Sequence, residues 1–132
     1  MKYLLDTNIC IYIIKQKPEK VFNKFKKLSV GQIAISSITY SELYYGVQRS
    51  QKVSQNEAAL HQFVAPLDVL PYPEDASTVY GQIRAALEPS GCPIGPLDTL
   101  IAAHAQYIGF TLVTNNLKEF SRVPKLKTEN WA

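Results

Sequence analysis

Tyr3-Leu4-Leu5-Asp6-Thr7-Asn8 opens the chain with three apolar residues and drops at once into three polar ones. That pattern reads as a buried strand ending at a polar edge. Working outward, residues Asn8 to Lys15 carry a helical pattern, and Pro18 opens a second helix. Its apolar positions Val21, Phe22, Phe25 and Leu28 fall on one face with lysines opposite. Gly31 breaks that helix, and Ile33-Ala34-Ile35 is a second short strand closed by Ser36-Ser37. Further helices are expected over about 38–46, 54–63, 74–88 and 97–108, the last stopped by Gly109. Val69-Leu70 and Thr111-Leu112-Val113-Thr114 supply two more strands, and a breaker cluster spans Pro89-Ser90-Gly91, Pro93, Gly95 and Pro96. Short apolar strands alternating with helices predict one α/β domain, with helices on both faces of a mostly parallel sheet.

Composition narrows the function classes. The 132 residues are 46% hydrophobic and 19% charged, an ordinary globular balance that excludes disordered and collagen-like chains. A net charge of +3 permits a polyanionic partner without requiring one. Cys10 and Cys92 are too few for a disulfide scaffold, and with His61 and His104 they lack zinc-site spacing, so both read as reduced thiols. The apolar run Ile9–Ile14 is six residues, short of the roughly 18 a spanning helix needs. A cytoplasmic protein is expected, with no membrane partner.

Three acidic residues sit where chemistry collects in such a fold. Asp6 follows the first strand, Glu42 lies early in the helix after the second, and Asp98 opens the helix after the breaker cluster. Ligands of open parallel sheets bind in the crevice at the strands' carboxyl ends. Each residue also has a structural explanation. Asp6 and Asp98 could be N-caps, and Thr39-Tyr40-Ser41-Glu42 fits a capping box. Converging carboxylates repel unless a cation sits between them, and Mg²⁺ or Mn²⁺ suits oxygen ligands. Such an ion lowers the pKa of bound water and stabilises charge on an attacked phosphorus.

Four stretches, in order, resemble the motifs of PIN-domain ribonucleases. They are Leu4-Leu5-Asp6-Thr7-Asn8, Ile35 through Gly46, Ile94 through Ala105, and Leu112-Val113-Thr114-Asn115-Asn116 with Glu119-Phe120. Together with the ending Thr128-Glu129-Asn130-Trp131, the last resembles the VapC toxin branch. The resemblance implies a PIN-like α/β/α domain over residues 1–132 and RNA cleavage dependent on Mg²⁺ or Mn²⁺. It also implies a VapB-type antitoxin and, for the substrate, tRNA cut in the anticodon stem-loop of the initiator. Carried over, Asp6, Glu42 and Asp98 become metal-site carboxylates, and Thr7 and Thr114 hydroxyls that orient them or a water. A homodimer is expected. One departure stands out: Asn116 occupies a position where many PIN domains have a fourth acid, and Glu119 could substitute. Leu97 stands where the family often has a polar residue.

For RNA contact, Lys15, Lys17, Lys20, Lys24, Lys26 and Lys27 form a basic run that either holds phosphates or is simply a solvated face. Tyr40, Tyr44 and Tyr45 could stack on bases or pack within the protein. His104 is six residues from Asp98, on another helix face, and reads as a packed or surface residue. Arg84 could pair with a site carboxylate or with a surface acid. Two other classes fit an acidic crevice: a phosphoryl-accepting receiver domain and a catalytically silent RNA-binding domain. A receiver needs an acidic pair near the first strand, where this chain has Leu4-Leu5.

Overall fold

The computed structural model describes residues 1–91 and 94–132. Cys92 and Pro93, read above as a free thiol and a breaker, lie outside the described residues. The chain runs β1 (Tyr3–Leu5), α1 (Thr7–Lys15), α2 (Glu19–Lys27), a short 3₁₀ turn at Val30–Gln32, β2 (Ile33–Ser36), α3 (Ser37–Gln48) and α4 (Val53–Val64). It continues through β3 (Asp68–Leu70), α5 (Ala76–Leu87), α6 (Pro96–Ile108), β4 (Thr111–Val113), α7 (Leu117–Phe120) and β5 (Thr128–Glu129). No helix among the described residues is long and apolar enough to cross a membrane.

The five strands form one parallel sheet in the order β3-β2-β1-β4-β5. The inner strands are buried along their whole length and largely apolar because both faces are covered, with Ser36 and Thr111 the polar exceptions at their ends. Alternation still sorts them: Tyr3, Leu5, Ile33 and Ile35 point to one face, Leu4 and Ala34 to the other. The first face packs against Ile9, Ile13, Val21, Leu43 and Leu60, from α1 to α4. The second packs against Ile83, Ile101, Ala102 and Phe120, from α5 to α7. Each such side chain contributes roughly 1.5–3 kcal/mol by leaving water, so the two layers hold the sheet between them.

Strand order reverses beside β1: the chain builds β2 and β3 on one side of it, then β4 and β5 on the other. In register, Leu5 lies beside Val113, so Asp6 and Thr114 leave adjacent strands at the same level. The Asp6 N–H donates to Val113 O at 2.9 Å and carries the ladder one residue further. This is the switch point at which open α/β sheets form their crevice.

Local chemistry fixes the helix starts and corrects two readings. Asp6 is the N-cap of α1, as one reading had it, but Asp98 is not a cap. Gly95 caps α6 and Pro96 takes the first helical position, where its missing N–H is harmless, so Asp98 falls in the first turn. The capping box at Thr39–Glu42 is also absent. Ser36 caps α3, three residues before the cap Thr39 that the box would need, and leaves Glu42 free for a tertiary contact. Two elements, α7 and β5, are additions to the sequence reading. Cys10 is a buried free thiol in the first layer.

Candidate active site

Asp6 is only 5% exposed, yet its carboxylate is fully engaged. Oδ1 accepts the backbone N–H groups of Asn8 (2.8 Å) and Ile9 (3.2 Å), and Oδ2 accepts the Thr114 hydroxyl at 2.6 Å. Burial raises the Asp6 pKa most, these three donors pull it back, and the charge of Glu42 adds a further upward push. Capping and site geometry therefore coexist in one side chain. Glu42 reaches across from α3, its Oε1 accepting the Thr7 hydroxyl at 2.7 Å over 35 residues of sequence. Both threonines hold a carboxylate oxygen in place.

The α6–α7 corner is built differently. Asp98 has its pKa pushed up to about 7, first by burial, then by the neighbouring Glu119 carboxylate and by the charges of Asp6 and Glu42. Glu119 is gripped by Asn116: Asn116 Nδ2 donates to Oε2 at 2.8 Å, and Asn116 Oδ1 accepts the Glu119 N–H at 3.3 Å. The Asn116 N–H in turn donates to Thr114 Oγ1 at 3.0 Å. Asn116 thus caps α7 and aims a carboxylate, rather than supplying one.

A cavity of about 220 Å³ lies between these groups, lined by Asp6, Thr7, Asn8, Glu42, Asp98, Asn116 and Phe120. Its donors are all oxygens. Glu119 Oε1 is buried with no hydrogen-bond partner, an expensive state for a carboxylate oxygen. Among the described residues the one ion pair is Arg84–Glu88, on the surface of α5, so no lysine or arginine neutralises the site. Buried carboxylates, an orphaned acceptor and an oxygen-only donor set fit a hard divalent cation. Among the described residues no three Asp, Glu, His or Cys side chains close tightly enough to grip one ion by themselves.

The PIN-domain family model matches residues 3–126. The chain belongs to the PIN-domain family, in its VapC branch. It is 48% identical to the tRNA(fMet)-specific endonuclease VapC of Shigella flexneri, over 100% of this chain and 99% of that protein. Against the tRNA(fMet)-specific endonuclease VapC of Salmonella typhimurium it is 45% identical, over 99% and 98%. Among solved structures, VapBC2 from Rickettsia felis bound to a DNA fragment from its promoter superposes with a TM-score of 0.94 at 44% identity, covering 100% of both chains.

Within this PIN fold the remaining sequence readings fall into place by location. Lys15, Lys17, Lys20, Lys24, Lys26 and Lys27 are all exposed along the end of α1 and α2. Lys15 shares a groove of about 350 Å³ with Glu42, between α1, α3 and α4. Tyr40 and Tyr44 are partly buried and meet edge to face, with the Tyr44 hydroxyl bonded to His61 of α4. Tyr45 is exposed under the Arg49 guanidinium. Arg84 pairs with Glu88 at 2.8 Å and donates to Tyr80, so it is a surface pair and meets no site carboxylate. Leu97 is exposed at the start of α6.

Sequence reasoning missed two features of the cavity. Phe120 forms part of its wall while buried in the second layer, and the only signal was its place beside Glu119. The juxtaposition of the Asp98 and Glu119 carboxylates joins positions 21 residues apart in sequence through tertiary packing, and no local pattern announces it.

Proposed function

We propose that the protein is a divalent-cation-dependent endoribonuclease, with Mg²⁺ or Mn²⁺ as the ion and one PIN-like domain spanning residues 1–132. It acts as the toxin of a toxin–antitoxin pair. The observation that carries this reading is the convergence of Asp6, Glu42 and Asp98 on one oxygen-lined cavity at the switch point of the sheet. In the reaction, a water oxygen bonds to the phosphorus of an RNA phosphodiester, one phosphorus–oxygen ester bond breaks, and the departing oxygen takes up a proton.

Asp6 and Asp98 are the principal ligands in this reading, and Glu42 acts directly or through water. A cation held there lowers the pKa of water and stabilises charge at phosphorus. Thr7 and Thr114 keep Glu42 and Asp6 from rotating, which preserves the site between turnovers. Glu119, aimed by Asn116, takes the fourth acidic position beside Asp98. The lysines of α1 and α2, with Tyr40 and Tyr44 at the edge of α3, are the surface on which RNA is held; lysine contacts to phosphate supply affinity without reading sequence.

The names of the relatives support tRNA, the initiator tRNA first, as the substrate. The VapBC complexes among the similar structures support a VapB-type antitoxin as partner, and a homodimer is the expected assembly. A phosphoryl-accepting receiver and a silent RNA-binding domain are not favoured by any of these relatives.

The test is cleavage of purified tRNA and total bacterial RNA by antitoxin-free protein, with Mg²⁺, Mn²⁺ or EDTA, alongside Asp6→Asn and Asp98→Asn. Discrete products that require the cation and vanish in both variants are expected. Intact RNA under every cation, with folded protein, would overturn the reading.

A further inference from the structure

His104 is completely buried in the middle of α6, and the chemistry proposed above does not use it. Its Nδ1 lies 2.8 Å from Ser36 Oγ, a contact that spans 68 residues of sequence. Ser36 is the last residue of β2 and the N-cap of α3, where its Oγ accepts the Ile38 N–H at 3.1 Å. With that lone pair committed, the hydroxyl's own hydrogen is free to go to His104 Nδ1. A second lone pair on Oγ lets the bond form with either ring tautomer, and Nε2 is buried without a partner of its own, so the Ser36 contact is the ring's one hydrogen bond among the described residues. Burial lowers the His104 pKa, which keeps the ring neutral and the bond intact at ordinary pH.

A third group closes the arrangement. Tyr72, just beyond β3, meets the His104 ring edge to face at 5.7 Å, and its backbone N–H donates to Ser37 Oγ at 3.0 Å. The start of α3, the exit of β3 and the centre of α6 are thus tied together behind the cavity. The spacing along the two helices gives the tie its consequence. Glu42 lies six residues after Ser36, and Asp98 six residues before His104. At 1.5 Å per residue, each carboxylate is about 9 Å along its helix from the tie.

We propose that the Ser36–His104 hydrogen bond, backed by Tyr72, is a latch between α3 and α6 that sets the spacing of Glu42 and Asp98 across the cavity. His104 is then a positioning residue. It touches neither RNA nor cation, and acts by holding two helices whose ends carry the carboxylates. A shift of about 1 Å in such a constellation can cost on the order of 10²-fold in rate, so a lost latch is readable. The latch rests on the nuclease reading of the cavity for its kinetic consequence, and on geometry alone for its existence.

The experiment compares His104→Asn with His104→Leu. Asparagine keeps a polar atom near the Nδ1 position, whereas leucine fills the space and cannot bond Ser36. Expected for His104→Leu is a fall in kcat of about tenfold or more, with KM for RNA little changed and weaker Mn²⁺ binding by titration. His104→Asn should recover most of both. Ser36→Ala removes the latch together with the α3 cap and serves if His104→Leu does not fold; the double variant should lose no more kcat than Ser36→Ala alone, because the shared bond is already gone there.

Wild-type kcat and Mn²⁺ affinity in folded His104→Leu or Ser36→Ala would overturn the latch. So would equal losses in the leucine and asparagine variants that track only their melting temperatures. If the wild-type protein cleaves no RNA, the nuclease reading has failed, and the latch is judged on Mn²⁺ affinity alone.

Discussion

Two aspartates face the same cavity and are held in opposite ways. Asp6 sits in a nest of donors, two backbone N–H groups and a threonine hydroxyl, all aimed at its oxygens. Asp98 faces another acid, Glu119, and its pKa rises to about 7. The β1–α1 corner therefore supplies donors that offset part of the cost of a negative charge, although burial still leaves the Asp6 pKa raised. The α6–α7 corner is prepared for one only when a proton or a cation comes with it. A site divided in this way keeps a fixed anchor on one side and places its response to cations on the other.

The strongest way to break that contrast is to neutralise each side in turn. Asp6→Asn and Asp98→Asn should both lower cleavage by about 10³-fold, the several kcal/mol that ligand charge contributes to phosphoryl chemistry, measured as kcat/KM on tRNA. Their stabilities should diverge. Asparagine keeps the N-cap through Oδ1 but turns the oxygen facing the Thr114 hydroxyl into an N–H donor, so Asp6→Asn should melt below wild type. Asp98→Asn removes a buried repulsion and should raise the melting temperature of the cation-free protein at pH 8. Equal shifts in the two variants would remove the distinction between the corners.

The same contrast has a pH signature. A carboxyl raised from 3.8 to about 7 keeps its proton in the folded protein where the unfolded chain has released it. Folding then takes up a proton between those values, so this contribution is full below about pH 4 and is lost as pH rises through about 7. Urea midpoints of cation-free protein, taken as the difference between wild type and Asp98→Asn, should decline over that window. Millimolar Mg²⁺ should abolish the decline. A difference that is flat with pH would mean that Asp98 is not held protonated in the folded protein.

How much of this was legible beforehand depended on the length of the signal. β1, β2, β4 and the long helices announce themselves through apolar runs and breakers, and Asp6 and Glu42 could be set on the carboxyl edge from strand order alone. α7 has four residues and β5 has two, shorter than any periodicity can register. The cap reading weighed for Asp98 fails because Gly95 caps α6 three residues earlier and Pro96 takes its first position, a point of local chemistry that the sequence does carry. Ser36–His104 and Asp98–Glu119 were not legible, since each joins distant segments that only the packed sheet brings together. The weighing of Asn116 against Glu119 as the fourth acid also looked for one residue where two act as a unit.

Thr114 tests the anchored side at smaller cost. Its buried hydroxyl donates to Asp6 Oδ2 and accepts the Asn116 N–H, so it links the anchor to the loop that carries Glu119. Thr114→Val keeps the shape and removes both bonds, leaving a carboxylate oxygen and an amide short of a partner. A loss of about 1–3 kcal/mol is expected by urea unfolding. Thr114→Ser should restore most of it, because serine keeps the hydroxyl and gives up only a methyl group.

The smallest effect belongs to Arg84, which bonds Glu88 and Tyr80 and no site carboxylate. It pairs with Glu88 one turn along α5, with both side chains more than half exposed. Solvent screens such a pair and two long side chains lose freedom to form it, so the net gain is close to nothing. Arg84→Ala should leave the melting temperature and kcat/KM indistinguishable from wild type. A clear loss of cleavage without loss of stability would mean that this arginine contacts the RNA, and that the electrostatics of substrate binding extend from α1 and α2 to the opposite layer of the sheet.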